Sequence, residues 1–168
     1  MKDGEMEESL IGLCGMNCGV CELYLAGKND VNKQGLKQRY CEGCKPKHNK
    51  ACVFTKNCKL LAEGTVKYCS ECGGFPCTRL QQLDKRYRTY YHMSMIENLH
   101  HMKMHGMKGL LAREEKKWQC PKCGGTISCH NGICYNCGIE ELRAVEKVRR
   151  WTKENQWVYR MERDENGK

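Results

Sequence analysis

The residue that dominates the chemistry of this sequence is cysteine, with fifteen in 168 residues, mostly in pairs separated by two others. Thiols at that density build disulfides, hold metals or do redox chemistry. The clearest motif is WQCPKCGGTISCHNGICYNCG, from Trp118 to Gly138, in which Cys120 and Cys123 form one CxxC and Cys134 and Cys137 another, ten residues further on. Zinc takes four tetrahedral ligands, and a CxxC turn followed by glycine presents two sulfurs in the same direction. Two such knuckles facing each other complete the shell. The stretch between them predicts a short hairpin turning at Asn131-Gly132, and hence a zinc ribbon. Cys129 and His130 fall inside that hairpin and are read as spare surface residues, not as ligands.

Ten more cysteines lie between residues 11 and 78: Cys14, Cys18, Cys21, Cys41, Cys44, Cys52, Cys58, Cys69, Cys72 and Cys77. Ten does not divide by four. Two Cys₄ sites leave two thiols over, whereas zinc ions sharing bridging thiolates, or a mixture of zinc and an iron-sulfur cluster, use more of them. Loop length groups Cys41, Cys44, Cys52 and Cys58 in one site, because short loops close at low entropic cost. Cys14, Cys18, Cys21, Cys69, Cys72 and Cys77 then supply the other. Cys14, Cys18 and Cys21 have the CxxxCxxC spacing that can hold three irons of a [4Fe-4S] cluster, but the chain is too short for the barrel that radical enzymes wrap around one. A leftover pair such as Cys21 and Cys77 reads as buried structural thiols before it reads as a redox couple.

The elements that must position these thiols follow from periodicity. Residues 11–78 are rich in Gly, Lys and Asn and read as loops and knuckles. Leu80, Leu83, Tyr87 and Tyr90 or Tyr91 share a helical face, which predicts a helix from about Arg79 to Tyr91. Ser94 and Glu97 have the form of a capping box opening a second helix through Ile96 and Leu99, which Gly106 closes. Leu110, Leu111, Glu114 and Trp118 mark a third. Beyond the ribbon, Leu142, Val145, Val148 and Trp151 predict another helix ahead of a frayed tail.

Met1 to Leu10 is acidic and carries no apolar stretch of signal-peptide length, and no apolar run is long enough to span a bilayer. A cytoplasmic setting is therefore expected, and in a reducing cytosol these thiols hold metal rather than pair. The formal charge is +9. Each Cys₄ zinc site subtracts about two charges, so three sites leave about +3 and weaken the case for phosphate binding. Local basic patches remain, with Lys45, Lys47, His48, Lys50, Lys56 and Lys59 in one loop and Arg79, Lys85, Arg86 and Arg88 beside Tyr87, Tyr90 and Tyr91, a pattern that can grip nucleic acid. Met93, Met95, Met102, Met104 and Met107 interleave with His92, His100, His101 and His105. At helical spacing these read as core filler and surface histidines before they read as a copper site.

The order CGxxCxxC with a following Tyr, then CxGC, C(x5)C and CxECxxFPC, resembles the prokaryotic cysteine-rich family known as domain of unknown function 3795. The stretch IENLHHMKMHGMKGLL running into WQCPKCGG resembles longer members, so the likeness covers roughly residues 11 to 138. The resemblance implies a metal-binding cysteine domain, supports the ten N-terminal thiols as ligands, and brings no reaction with it. The chain thus reads as a small metal-stabilised α+β protein: a cysteine-knuckle domain at 11–78, a helical segment at 79–117, a zinc-ribbon hairpin at 118–138, and a terminal helix and tail at 139–168. About three zinc ions are expected, with an iron-sulfur cluster as the alternative at the N-terminal thiols. A binding or scaffold role with an unknown protein partner is expected, a metal-dependent redox enzyme being the rival class. Nucleic acid is a further candidate partner, and the membrane is not one. No Ser-His-Asp set, phosphate-cradling glycine loop or nucleotide fingerprint is visible.

Overall fold

The computed structural model describes residues 6–43 and 57–146. Cys44, Cys52, Lys45, Lys47, His48, Lys50 and Lys56 lie outside the described residues, as do Val148, Trp151 and the C-terminal tail. The described chain is mostly helical. Its α-helices are α1 (Glu22–Lys28), α2 (Lys59–Ala62), α3 (Thr78–Tyr91), α4 (Met95–Trp118) and α5 (Ile139–Glu146), with short 3₁₀ turns between some of them. Among the described residues no strand forms, and extended pairing is limited to three isolated antiparallel bridges. Two of these, Gln119–Thr126 and Ile127–Cys134, fall where a ribbon hairpin was expected. Gly124-Gly125 and Asn131-Gly132 spend much of that ten-residue span on turns, which leaves too few residues for a ladder.

The described chain divides into two compact units that do not follow chain order: Val20–Cys41 with 118–146, and 6–19 with 42–43 and 57–117. In the first unit Leu25, Ala26, Val31 and Leu36, from α1 and the turn after it, bury against Ile133, Tyr135 and Leu142. Tyr135 can bury its ring because its hydroxyl is bonded, accepting from Asn131 at 3.0 Å and donating to Gln38 at 3.4 Å. Arg143 of α5 donates to the Gln34 carbonyl at 2.6 Å.

The second unit is built on α3 and α4. Leu80, Met93, Met95, Leu99 and Leu110 are fully buried in it, so Met93 and Met95 are core residues, whereas Met104 is exposed. The α3–α4 corner is held by Asp84, which is buried and accepts from the Ser94 hydroxyl at 2.7 Å, the Ile96 amide at 3.0 Å and the Arg88 guanidinium at 2.8 Å. Ser94 in turn accepts from the Glu97 amide at 3.0 Å, the expected cap. Gly106 breaks α4, with φ 71° and ψ 176°. Those angles are open essentially to glycine alone, so the two helical stretches expected on either side of it are present as two arms of one kinked element. No helix among the described residues is long and apolar enough to cross a membrane.

Candidate metal centres

The described cysteines are all free thiols. Cys120, Cys123, Cys134 and Cys137 come together, with all four sulfurs within 4.8 Å of one another. Cys120 and Cys137 are 3.7 Å apart, and Cys123 and Cys134 are 3.6 Å apart. A tetrahedral zinc with bonds of about 2.3 Å places its sulfurs about 3.8 Å apart, so this cluster can bind a metal with little rearrangement. The two knuckles repeat one turn: Gly124 donates to the Cys120 carbonyl at 2.9 Å, and Gly138 to the Cys134 carbonyl at 2.8 Å.

The acid–base chemistry of these thiols is linked. Burial raises the Cys123 thiol, but the Gly125 amide and the neighbouring sulfurs outweigh it and bring the group down to about 7. Burial pushes Cys134 and Cys137 up, and hydrogen bonds to the other sulfurs push them further. Four thiolates at this spacing would repel one another, and a bound cation would offset their charge.

The N-terminal thiols divide between the two units. In the first, Cys21 caps α1, and the Cys41 amide donates to the Leu23 carbonyl at 3.1 Å, which sets Cys41 beside that turn. Burial raises the Cys21 thiol, the Leu23 and Tyr24 amides oppose it, and the charges of Glu22 and Cys41 add to the rise. Cys129, expected at the surface, is buried, its amide donating to the Val20 carbonyl at 2.9 Å and its sulfur 3.3 Å from Nδ1 of His130. That Nδ1 also accepts from the Glu22 amide at 3.5 Å.

In the second unit Cys14, Cys18 and Cys69 are buried, Cys58 and Cys72 are half-buried, and Cys77 is exposed. The Cys69 amide donates to the Leu13 carbonyl at 2.9 Å, joining the turn that carries Cys69 and Cys72 to the loop that carries Cys14. Cys58 immediately precedes α2 and Cys77 immediately precedes α3. Cys58, Cys69, Cys72 and Cys77 line a cavity of about 50 Å³ together with apolar side chains that include Phe75 and Leu80. Burial, then the charges of Cys14, Cys58, Cys77 and Cys72, push the Cys69 thiol up to about 12. Of the group expected from loop length, Cys44 and Cys52 lie outside the described residues, and Cys58 lines its cavity with Cys69, Cys72 and Cys77.

Sequence reading missed the residues that hold the Cys14–Cys18 loop. Asn17 is buried, donates to Glu114 of α4 at 3.0 Å, and accepts from the Gly19 amide at 3.0 Å. Asn98 donates to the Gly15 carbonyl at 2.9 Å and accepts from Arg113, which also pairs with the fully buried Glu114 at 3.1 Å. Gly15 has φ +84°, and a Cβ there would come within 2.5 Å of the Met95 carbonyl. The available signal was Glu114, a carboxylate on the face of a helix otherwise marked by Leu110, Leu111 and Trp118.

Residues 10–82 match the family described as Protein of unknown function (DUF3795). No curated protein and no solved structure matches the chain.

Proposed function

We propose that this protein is a metal-thiolate binding or scaffold module, with zinc held in a ribbon by Cys120, Cys123, Cys134 and Cys137. The observation that carries this reading is the set of four sulfurs already at the spacing of a tetrahedral Cys₄ shell. Four protein ligands leave no open position, which suits a structural ion better than a catalytic one. The N-terminal thiols Cys14, Cys18, Cys21, Cys41, Cys44, Cys52, Cys58, Cys69, Cys72 and Cys77 hold further metal, and the rigid surface made this way serves a protein partner in the cytosol. Replacing Cys134 with Ser is expected to remove one zinc per chain while the other metals stay in place. An unchanged zinc count in a folded C134S protein rejects the ribbon assignment.

A further inference from the structure

The methionines and histidines that interleave from His92 to Met107 part company in the structure. Met93 and Met95 are in the core, whereas Met104 is 78% exposed, His105 is exposed and His101 is half-buried. His101 and His105 stand one helical turn apart on α4, and their rings meet with centres 4.5 Å apart and planes tilted by 39°. With metal–nitrogen bonds of about 2.0–2.1 Å, an imidazole centre sits about 3.2 Å from a bound ion, so two rings at a right angle are about 4.5 Å apart and two at the tetrahedral angle about 5.2 Å. The spacing of this pair is that of adjacent ligands on a square-planar or octahedral ion.

We infer that His101 and His105 form a two-imidazole chelate for a divalent cation that prefers tetragonal nitrogen coordination, Cu²⁺ or Ni²⁺, with water in the remaining positions. The site is separate from the thiolates in ligand and in metal preference, since nitrogen donors in this geometry suit copper and nickel whereas four sulfurs in a tetrahedron suit zinc. The kink at Gly106 helps to build it. Gly109, on the far arm, lies against the pair: a Cβ there would come within 2.7 Å of the His105 Cβ and 3.9 Å of Nε2 of His101. Glycine at that position keeps a side chain off the His101 nitrogen. Glu97 lies one turn before His101 on the same helical face and is exposed, which places negative charge near the cation. His100, one residue away, is engaged elsewhere, its ring meeting Phe75 edge to face with centres 5.2 Å apart.

The test is a titration of Ni²⁺ alone into the full chain purified without oxygen, with its own metals in place, followed by calorimetry, by the imidazole proton signals in NMR and by the zinc released. Nickel is the probe because Cu²⁺ oxidises free thiols. One Ni²⁺ per chain is expected to bind without releasing zinc and to broaden the His101 and His105 signals before those of the other histidines. His101→Ala and His105→Ala are each expected to weaken binding at least about tenfold, since a single imidazole loses the effective concentration that the pair provides. His100→Ala is expected to leave the affinity unchanged. The inference is overturned if no nickel binds, if it binds only as zinc leaves, if all histidine signals broaden together as in adventitious surface binding, or if the affinity survives both H101A and H105A. Should either substitution unsettle α4, the order of broadening in the wild-type chain decides. C134S reports on the ribbon alone, so failure of either assignment leaves the other standing.

Discussion

Gly15 and Glu114 carry no metal, yet the Cys14–Cys18 loop depends on them. A side chain at Gly15 meets both a left-handed backbone and the Met95 carbonyl. The backbone strain alone costs about 1–3 kcal/mol, and the overlap with main chain adds to it. Gly15→Ala is therefore expected to lower the melting temperature of the metal-loaded protein and to expose Cys14 to alkylation, and an unchanged melt would dismiss the close packing described. Removing the Glu114 carboxylate leaves Arg113 and Asn17 without their buried acceptor. Breaking one side of a buried ion pair costs roughly 3–5 kcal/mol, so Glu114→Ala is expected to be much worse than Glu114→Gln, which keeps an acceptor for Asn17. Equal stability of the two variants in denaturant titration argues against that role. The cluster of Cys120, Cys123, Cys134 and Cys137 was legible because all four fall within a short stretch with two glycine-tailed CxxC turns. The placement of the Cys14–Cys18 loop was not, because it depends on contacts such as Asn17–Glu114, whose members are 97 residues apart.

Among the elements, α3 and α4 were readable from periodicity, and their junction from the Ser94–Glu97 cap. Asp84 as the acceptor that fixes the corner was invisible, since a helical Asp reads as solvent-facing until the next helix folds back on it. The same face bears on the nucleic-acid reading. Tyr87 and Tyr91 meet edge to face with ring centres 5.0 Å apart, and Tyr90 and Tyr91 are 6.2 Å apart. All three are half-buried. Rings packed on one another contribute about 0.5–1.5 kcal/mol per pair beyond their burial. Tyr87→Ala is expected to lower the melting temperature without a selective loss of single-stranded RNA affinity. A base-stacking site would instead lose roughly 1–3 kcal/mol of binding in a fully stable protein, with the salt slope unchanged. That result would promote nucleic acid to the leading partner.

For the whole molecule, the metal-thiolate sites proposed above are expected to carry much of the stability. The first unit's cluster of buried residues has seven members, one of them alanine. A structural zinc site supplies roughly 10–16 kcal/mol of apparent binding free energy, as much as the net stability of an ordinary domain. Strong chelation is accordingly expected to abolish the cooperative melt. Binding also changes the charge, since each Cys₄ zinc shell subtracts about two from the formal +9. The most direct measurement is the metal content of protein purified without oxygen, taken before and after chelation alongside its circular dichroism. Several metal equivalents per chain, zinc among them, are expected, with the helical signal and cooperative melting disappearing as they are removed. A metal-free chain that keeps its native spectrum and melts cooperatively would contradict the account.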